Sequence, residues 1–159
     1  MYKFKVTLKR LLLCLEFDKM EVKIKLTDVK TKMPTRATAG AAGWDVYAIE
    51  DKWIPAGLWA KINLGFALEI PKGWCALLLG RSGLLKDRGI AGQPGLIDHD
   101  YRGEIGIILT NLSAEQFHVK KGHRIGQLLF VHNPELRFKE TKELSTTVRG
   151  TSGFGSTGQ

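Results

Sequence analysis

Asp98 lies between Ile97 and a polar turn, His99-Asp100-Tyr101-Arg102-Gly103-Glu104, beyond which an apolar run resumes at residues 105–109. A carboxylate so placed can orient a water molecule and take its proton, which is general-base chemistry when reach and pKa suit. The same residues also describe an ordinary tight turn, because Asp bonds readily to nearby backbone, and Asp100 is read in that way. Upstream, Arg81-Ser82-Gly83 sets a cation, a hydroxyl and a flexible backbone in consecutive positions. That combination suits a phosphate cradle, since a guanidinium gives forked, charge-assisted hydrogen bonds and backbone N–H groups at a helix start favour anions. Taken alone, the tripeptide equally describes an exposed loop. Asp45 after Gly43-Trp44, Gln127 within residues 125–129, and Arg149 ahead of Gly153-Phe154-Gly155-Ser156-Thr157-Gly158 add an acid, an amide and a further cation. Singly, these read as a strand-edge residue, a solvated strand residue and a flexible tail.

The elements that must position these groups are strands. Val22, Ile24 and Leu26 alternate with Lys23 and Lys25, the period of a strand with one buried face. Short apolar segments at residues 66–68, 75–79, 105–109 and 125–131 are separated by breaks at Pro55 with Gly57, Pro71 with Gly73, residues 92–95, Gly122 and Asn133-Pro134. Short strands at this spacing indicate an all-β sandwich or barrel. One short helix is expected after Ser82, which would cap it, with Gly89 as its end. Residues 146–159, rich in Gly, Ser and Thr, predict a flexible tail.

At 159 residues and 43% hydrophobic content the chain suits one globular domain with a core. A formal net charge of +8 points to an anionic partner: a nucleotide, a nucleic acid or a membrane surface. Cys14 and Cys75 lie far apart without zinc-ligand spacing, which implies a reducing compartment and no structural zinc. Lys9-Arg10 followed by Leu11-Leu12-Leu13-Cys14-Leu15 begins like a signal peptide, but the apolar run is short and Glu16, Asp18 and Lys19 follow it. A cytoplasmic protein, or one of the nucleus or a host-cell interior if the source is viral, is therefore expected, with residues 1–19 as an extension of unknown role, 20–145 as the β domain and 146–159 as a glycine-rich arm.

Five segments, in order, resemble the five motifs of the homotrimeric dUTPase family: Ala42-Gly43-Trp44-Asp45-Val46-Tyr47-Ala48, Gly80-Arg81-Ser82-Gly83-Leu84, residues 95–104 around Asp98, Gly122-His123-Arg124-Ile125-Gly126-Gln127-Leu128, and residues 149–158 around Phe154. The resemblance runs over residues 22–158. It implies a jelly-roll-like distorted β-barrel with at most one short helix, assembled as a homotrimer whose C-terminal arm is exchanged between subunits. The implied activity is hydrolysis of dUTP to dUMP and pyrophosphate, with Asp98 activating the water. It also implies that the hairpin at residues 92–101, Gly95 and Ile97 included, recognises uracil through its main chain, and that Tyr101 lies under the deoxyribose and excludes a 2′-hydroxyl. Arg81, Ser82, Gly83 and Gln127 would take phosphates, and Mg²⁺, held mainly by the three phosphates, would meet Asp45 through water. The arm would close as a lid, Phe154 stacking on uracil, Arg149 meeting the γ-phosphate, and Gly155, Ser156 and Thr157 at the phosphates. No stable nucleic-acid complex and no membrane association are expected.

The chain departs from the family pattern at four positions. Gly80 stands where Pro is usual, His123 where an acid is usual, Gly126 in place of Ala, and Trp44 in place of the commoner Tyr or Leu. Gly80 is expected to loosen the approach to the cradle, since Gly loses more backbone entropy than Pro. Three alternatives stand beside this reading: a dCTP deaminase of the same fold, a dUTP-binding regulator with little or no activity, and a basic nucleic-acid-binding β-barrel.

Overall fold

The computed structural model describes residues 21–153. The N-terminal extension and the arm residues Phe154, Gly155, Ser156 and Thr157 lie outside the described residues. Within them the chain forms β1 (Lys23–Leu26), β2 (Trp44–Tyr47), β3 (Lys52–Ile54), β4 (Trp59–Asn63), β5 (Phe66–Glu69), β6 (Trp74–Leu79), α1 (Ser82–Arg88), β7 (Ile90–Gly92), β8 (Gly95–Ile97), β9 (Gly106–Asn111), β10 (Phe117–Val119) and β11 (Arg124–His132). An all-β fold with one short helix is as expected. The barrel is not closed by hydrogen bonds: the strands form four sheets, β2-β11-β6-β8, β4-β9-β7, β1-β5 and β10-β3, around a shared core.

Alternation explains which residues meet in that core. In β9, Ile107 and Leu109 point inward and are 1% and 0% exposed, while Ile108 between them is 42% exposed. Phe66, Ile54, Ile62, Leu64, Ile125 and Leu128 join them. Each such side chain contributes roughly 1.5–3 kcal/mol when fully buried. The pattern over β1 is less complete than expected: Ile24 is half-buried, but Leu26 is 48% exposed. The reason is its position, for among the described residues β1 pairs only with β5, in a two-stranded sheet.

The helix follows the expectation at its end and differs at its start. Gly89 takes the left-handed conformation, φ 66°, and its N–H bonds to the carbonyls of Leu84 and Leu85, which only a residue without a Cβ does at low cost. The N-cap, however, is Arg81 in extended conformation with no side-chain cap, and Ser82 is the first helical residue with an exposed side chain. The helix is held by Leu84 packing on the core instead.

Asn111 is fully buried, and its amide ties three segments. Nδ2 donates to the carbonyls of Ile54 at 2.9 Å and Glu115 at 2.7 Å, and Oδ1 accepts from the Ser113 N–H and hydroxyl. Asn111→Leu strands these groups, each costing about 1–3 kcal/mol when left unsatisfied. Urea unfolding is expected to show a loss of several kcal/mol, and a variant as stable as the parent would mean that water replaces the amide.

Candidate active site

The four-stranded sheet sets Asp45, Gln127 and the end of β6 that leads to Arg81 in one row. Gln127 on β11 is paired with Asp45 on β2 on one side and with Leu79 on β6 on the other; Leu78 is in turn paired with Gly95 on β8. Arg81 follows β6 after Gly80, and Asp98 follows β8 directly. Antiparallel register thus brings the first, second and fourth segments to one end of the sheet, while β8 runs the other way, with Gly95 opposite Leu78 and Ile97 opposite Ala76, and carries Asp98 toward the opposite end.

Asp45 is the hub of that row, and it is 3% exposed. Its Oδ2 accepts from Arg124 Nη1 at 3.2 Å, its Oδ1 accepts from Gln127 Nε2 at 3.2 Å, and Arg81 Nε lies 3.4 Å from Oδ1. Arg81 Nη1 also donates to the Arg124 carbonyl at 3.3 Å. Two guanidiniums share one carboxylate, so the group carries one positive charge in excess. Their side chains remain 26% and 48% exposed, which leaves donors facing solvent for a further anion.

Arg124 was not among the residues singled out from the sequence. Strict alternation counted from Gln127 puts it on the opposite face, but β11 carries an irregularity between Arg124 and Gly126, so that Arg124 pairs with Tyr47 and Gly126 with Val46. The extra residue turns Arg124 to the face of Asp45, as β-bulges commonly re-aim a side chain near a site. A basic residue three positions before a site amide, next to a glycine in a strand, was the available signal.

The second group surrounds a cavity of about 230 Å³, lined among others by Gly95, Ile97, Asp98, Tyr101, Glu104 and Lys61. The turn is closed by main chain, Tyr101 N–H to Asp98 C=O at 3.2 Å. Neither the Asp98 nor the Asp100 carboxylate makes a hydrogen bond or ion pair among the described residues, so neither side chain closes the turn. Tyr101 lies over Gly103, where a Cβ would collide with its ring, and its Oη donates to the Glu104 carbonyl at 3.2 Å. Glu104 Oε1 accepts from the Gly65 N–H at 3.1 Å and pins the cavity wall to the β4–β5 turn. Glu104 and Lys61 had no signal in the sequence beyond their charge.

Ser82 and Gly83 are exposed on the first turn of α1, next to Arg81. Arg149 is not with them: it lies in an exposed turn, its Nε donating to the Ser152 carbonyl at 2.9 Å.

Known proteins match this chain over most of its length. The dUTPase family model matches residues 29–158. The deoxyuridine 5′-triphosphate nucleotidohydrolase of Yarrowia lipolytica is 40% identical over 141 residues, covering 87% of this chain and 90% of that protein. That of Zymomonas mobilis is 42% identical over 142 residues, covering 88% and 97%. The fold is similar to that of the Staphylococcus bacteriophage 80alpha dUTPase solved with dUPNHPP, at a TM-score of 0.83 and 27% identity over 87% of this chain and 99% of that one. The register that gathers Asp45, Arg81 and Gln127 therefore sits in a shared fold and a shared sequence pattern, and the chain belongs to the dUTPase family.

Proposed function

We propose that the chain hydrolyses dUTP to dUMP and pyrophosphate, with Asp98 activating the water that attacks the α-phosphorus in line with the departing pyrophosphate. The observation that carries this reading is the contrast between two carboxylates at opposite ends of one sheet. Asp45 is buried and engaged by two arginines and a glutamine, whereas Asp98 stands exposed at a cavity with its oxygens unengaged. An unengaged carboxylate can hold a water and accept its proton; an engaged one positions cations.

The remaining roles follow from what each group offers. The main chain at Gly95 and Ile97 faces the base. A Cβ at Gly95 would be no nearer than 3.9 Å to Leu78, so the protein itself does not demand glycine there and a close ligand does. Tyr101 supports the deoxyribose and leaves no room for a 2′-hydroxyl. Arg81, Ser82, Gly83 and Gln127 take phosphate oxygens, and Arg124 adds charge. Positioning and charge neutralisation supply most of the rate in such a reaction.

Magnesium fits as a companion of the triphosphate. Among the described residues no three acidic, histidine or cysteine side chains gather to hold an ion. Asp45, whose oxygens already accept from Arg124 and Gln127, would meet the ion through water, in keeping with the reluctance of magnesium to dehydrate. Held with the triphosphate, the ion would supply neutralisation of the charge that develops on the leaving group. Calorimetric titration with MgCl₂ alone is expected to show no saturable binding, and titration in the presence of an imido analogue of dUTP is expected to show it; tight binding to the nucleotide-free chain would contradict this assignment.

A homotrimer with exchanged arms is supported by two exposed surfaces. After β11 the described chain has no strand or helix, yet Leu136, Phe138, Leu144 and Val148 are 81–111% exposed. The body carries an open apolar groove of about 500 Å³, lined by Ile24, Met33, Trp44, Trp74 and Phe130 among others. Apolar surface of this kind marks an interface. With the arm on a neighbour, Arg149, Phe154, Gly155, Ser156 and Thr157 close over the neighbour's nucleotide. Mixing two inactive chains, Asp98→Asn and Arg81→Ala, after dissociation and reassembly is expected to regain dUTP hydrolysis, because mixed trimers contain sites with both groups intact. No regain would place both groups in one subunit's site.

No described helix is long and apolar enough to cross a membrane. A cytoplasmic enzyme acting on free nucleotides, without nucleic acid as partner, is the reading proposed. Release of ammonia from dCTP would favour a deaminase of the same fold, and binding of dUTP without turnover would favour a regulator.

A further inference from the structure

Glu104 joins the Tyr101 ring to the rigid turn that precedes β5. Tyr101 donates from Oη to the Glu104 carbonyl at 3.2 Å, and it lies over Gly103, where a Cβ would collide with that same oxygen. The pose of the ring therefore follows the peptide unit between residues 104 and 105. Because a peptide is planar, the Glu104 carbonyl and the Ile105 N–H move together. That N–H donates to the Phe66 carbonyl at 2.9 Å, and the Ile105 carbonyl accepts from the Leu64 N–H at 3.0 Å. These bonds hold the plane at its residue-105 end. At the other end the Glu104 side chain does so, its Oε1 accepting from the Gly65 N–H at 3.1 Å. Gly65 is a firm anchor: it is buried at φ 75°, and its carbonyl accepts from the Thr27 N–H at 2.7 Å and from Thr31 Oγ1 at 2.8 Å. Leu64, Gly65 and Phe66 thus grip residues 104 and 105, and the grip on residue 104 is made through a side chain.

We infer that Glu104 is a positioning residue for sugar selection, its carboxylate setting the pose of the Tyr101 ring in the cavity that both residues line. This rests on the reading of Tyr101 as the ring under the deoxyribose. Without the side-chain anchor, the plane is held at residue 104 by no bond of its own and can tilt about the Ile105 N–H bond, whose angle opens by roughly 30° before the bond weakens steeply. Gly103, just before it, has no side chain to oppose that tilt. A tilt carries the Tyr101 hydroxyl with it, and a ring displaced by the width of one oxygen admits a 2′-hydroxyl. The Gly65 N–H is buried and needs an acceptor whatever nucleotide is bound. What makes Glu104 more than that acceptor is its own carbonyl, which holds Tyr101: one residue takes the anchor at its side chain and the ring at its main chain.

The test is a double-mutant cycle in the full chain, with Glu104→Ala, Tyr101→Phe and both together, read as the ratio of kcat/KM for dUTP to that for UTP with Mg²⁺. Each single change is expected to lower the ratio about tenfold, the cost of a small misplacement in a preorganised site. The double variant is expected to fall no more than about twofold below the lower single, because both changes undo one bond. Glu104→Gln keeps an acceptor oxygen for the Gly65 N–H and is expected within about twofold of the parent. Glu104→Asp keeps the charge but is shorter by one C–C bond, about 1.5 Å, and is expected to behave as Glu104→Ala. Amide hydrogen exchange gives a readout free of nucleotide: Glu104→Ala is expected to exchange faster at Gly65 and also at Tyr101, whose N–H closes the turn onto the Asp98 carbonyl at 3.2 Å. A contact that served stability alone would lower the melting temperature and leave both the ratio and the Tyr101 exchange in place. If Glu104→Ala does not fold, Glu104→Asp takes its place in the cycle. Losses that multiply to about a hundredfold in the double variant, a Glu104→Ala ratio within twofold of the parent, or a Glu104→Gln chain as unselective as Glu104→Ala overturns the inference. Absence of dUTP hydrolysis, or equal turnover of UTP, in the parent would count against the functional reading alone, and the Tyr101 exchange, faster or unchanged, would still decide the link.

Discussion

Asp98→Asn is expected to lower kcat for dUTP hydrolysis by about 10²–10⁴-fold, the range a positioned general base supplies, with dUTP binding changed by only a few-fold. The substitution keeps the shape of the side chain and removes its ability to accept a proton. It should also leave the fold intact, because the Asp98 turn is closed by the main chain and its carboxylate is exposed. Steady-state kinetics and analogue binding on the same preparation separate the two effects. A kcat within a few-fold of the parent would remove Asp98 from the chemistry.

Asp45→Ala is expected to act on stability first. Removing one partner of a buried ion pair costs roughly 3–5 kcal/mol when it leaves uncompensated charge. Two guanidiniums depend on this carboxylate, at 3.2 and 3.4 Å, but their side chains are 26% and 48% exposed and recover some hydration. The lower end, about 3 kcal/mol, is therefore expected from urea unfolding. Asp45→Asn should lose less, since the amide oxygen still accepts one hydrogen bond. Both variants should also raise KM for dUTP, because Arg81 and Gln127 lose the atom that aims them. An Asp45→Ala chain as stable as the parent would show that the two arginines find other partners.

Four strands were legible because their apolar residues stand in nearly unbroken runs. Residues 66–68, 75–79, 105–109 and 125–131, read as apolar segments, coincide with β5, β6, β9 and β11. The three-residue strands β3, β7, β8 and β10 were not, since three residues cannot display a period of two, and their pairing is set by partners distant in sequence. The site was legible as a set of segments in family order. What the sequence does not show is who holds whom. The family pattern places Asp45 near a metal through water; it does not show that its oxygens accept from Arg124 and Gln127 and lie beside Arg81. That arrangement depends on a bulge in β11 that alternation cannot foresee. Gly80 carried the same lesson: entropy suggested a looser loop, whereas contact with Gly92 makes glycine a packing requirement.

The central claim is selective hydrolysis, and it rests on Asp98 for the reaction and on the hairpin with Tyr101 for the choice of nucleotide. Pyrophosphate release from dUTP, dTTP, dCTP and UTP, measured with Mg²⁺ under identical conditions, tests both at once. The account predicts rapid release from dUTP and release slower by orders of magnitude from the other three, with UTP rejected at Tyr101. Equal rates across the four nucleotides, or no release from dUTP, would contradict it.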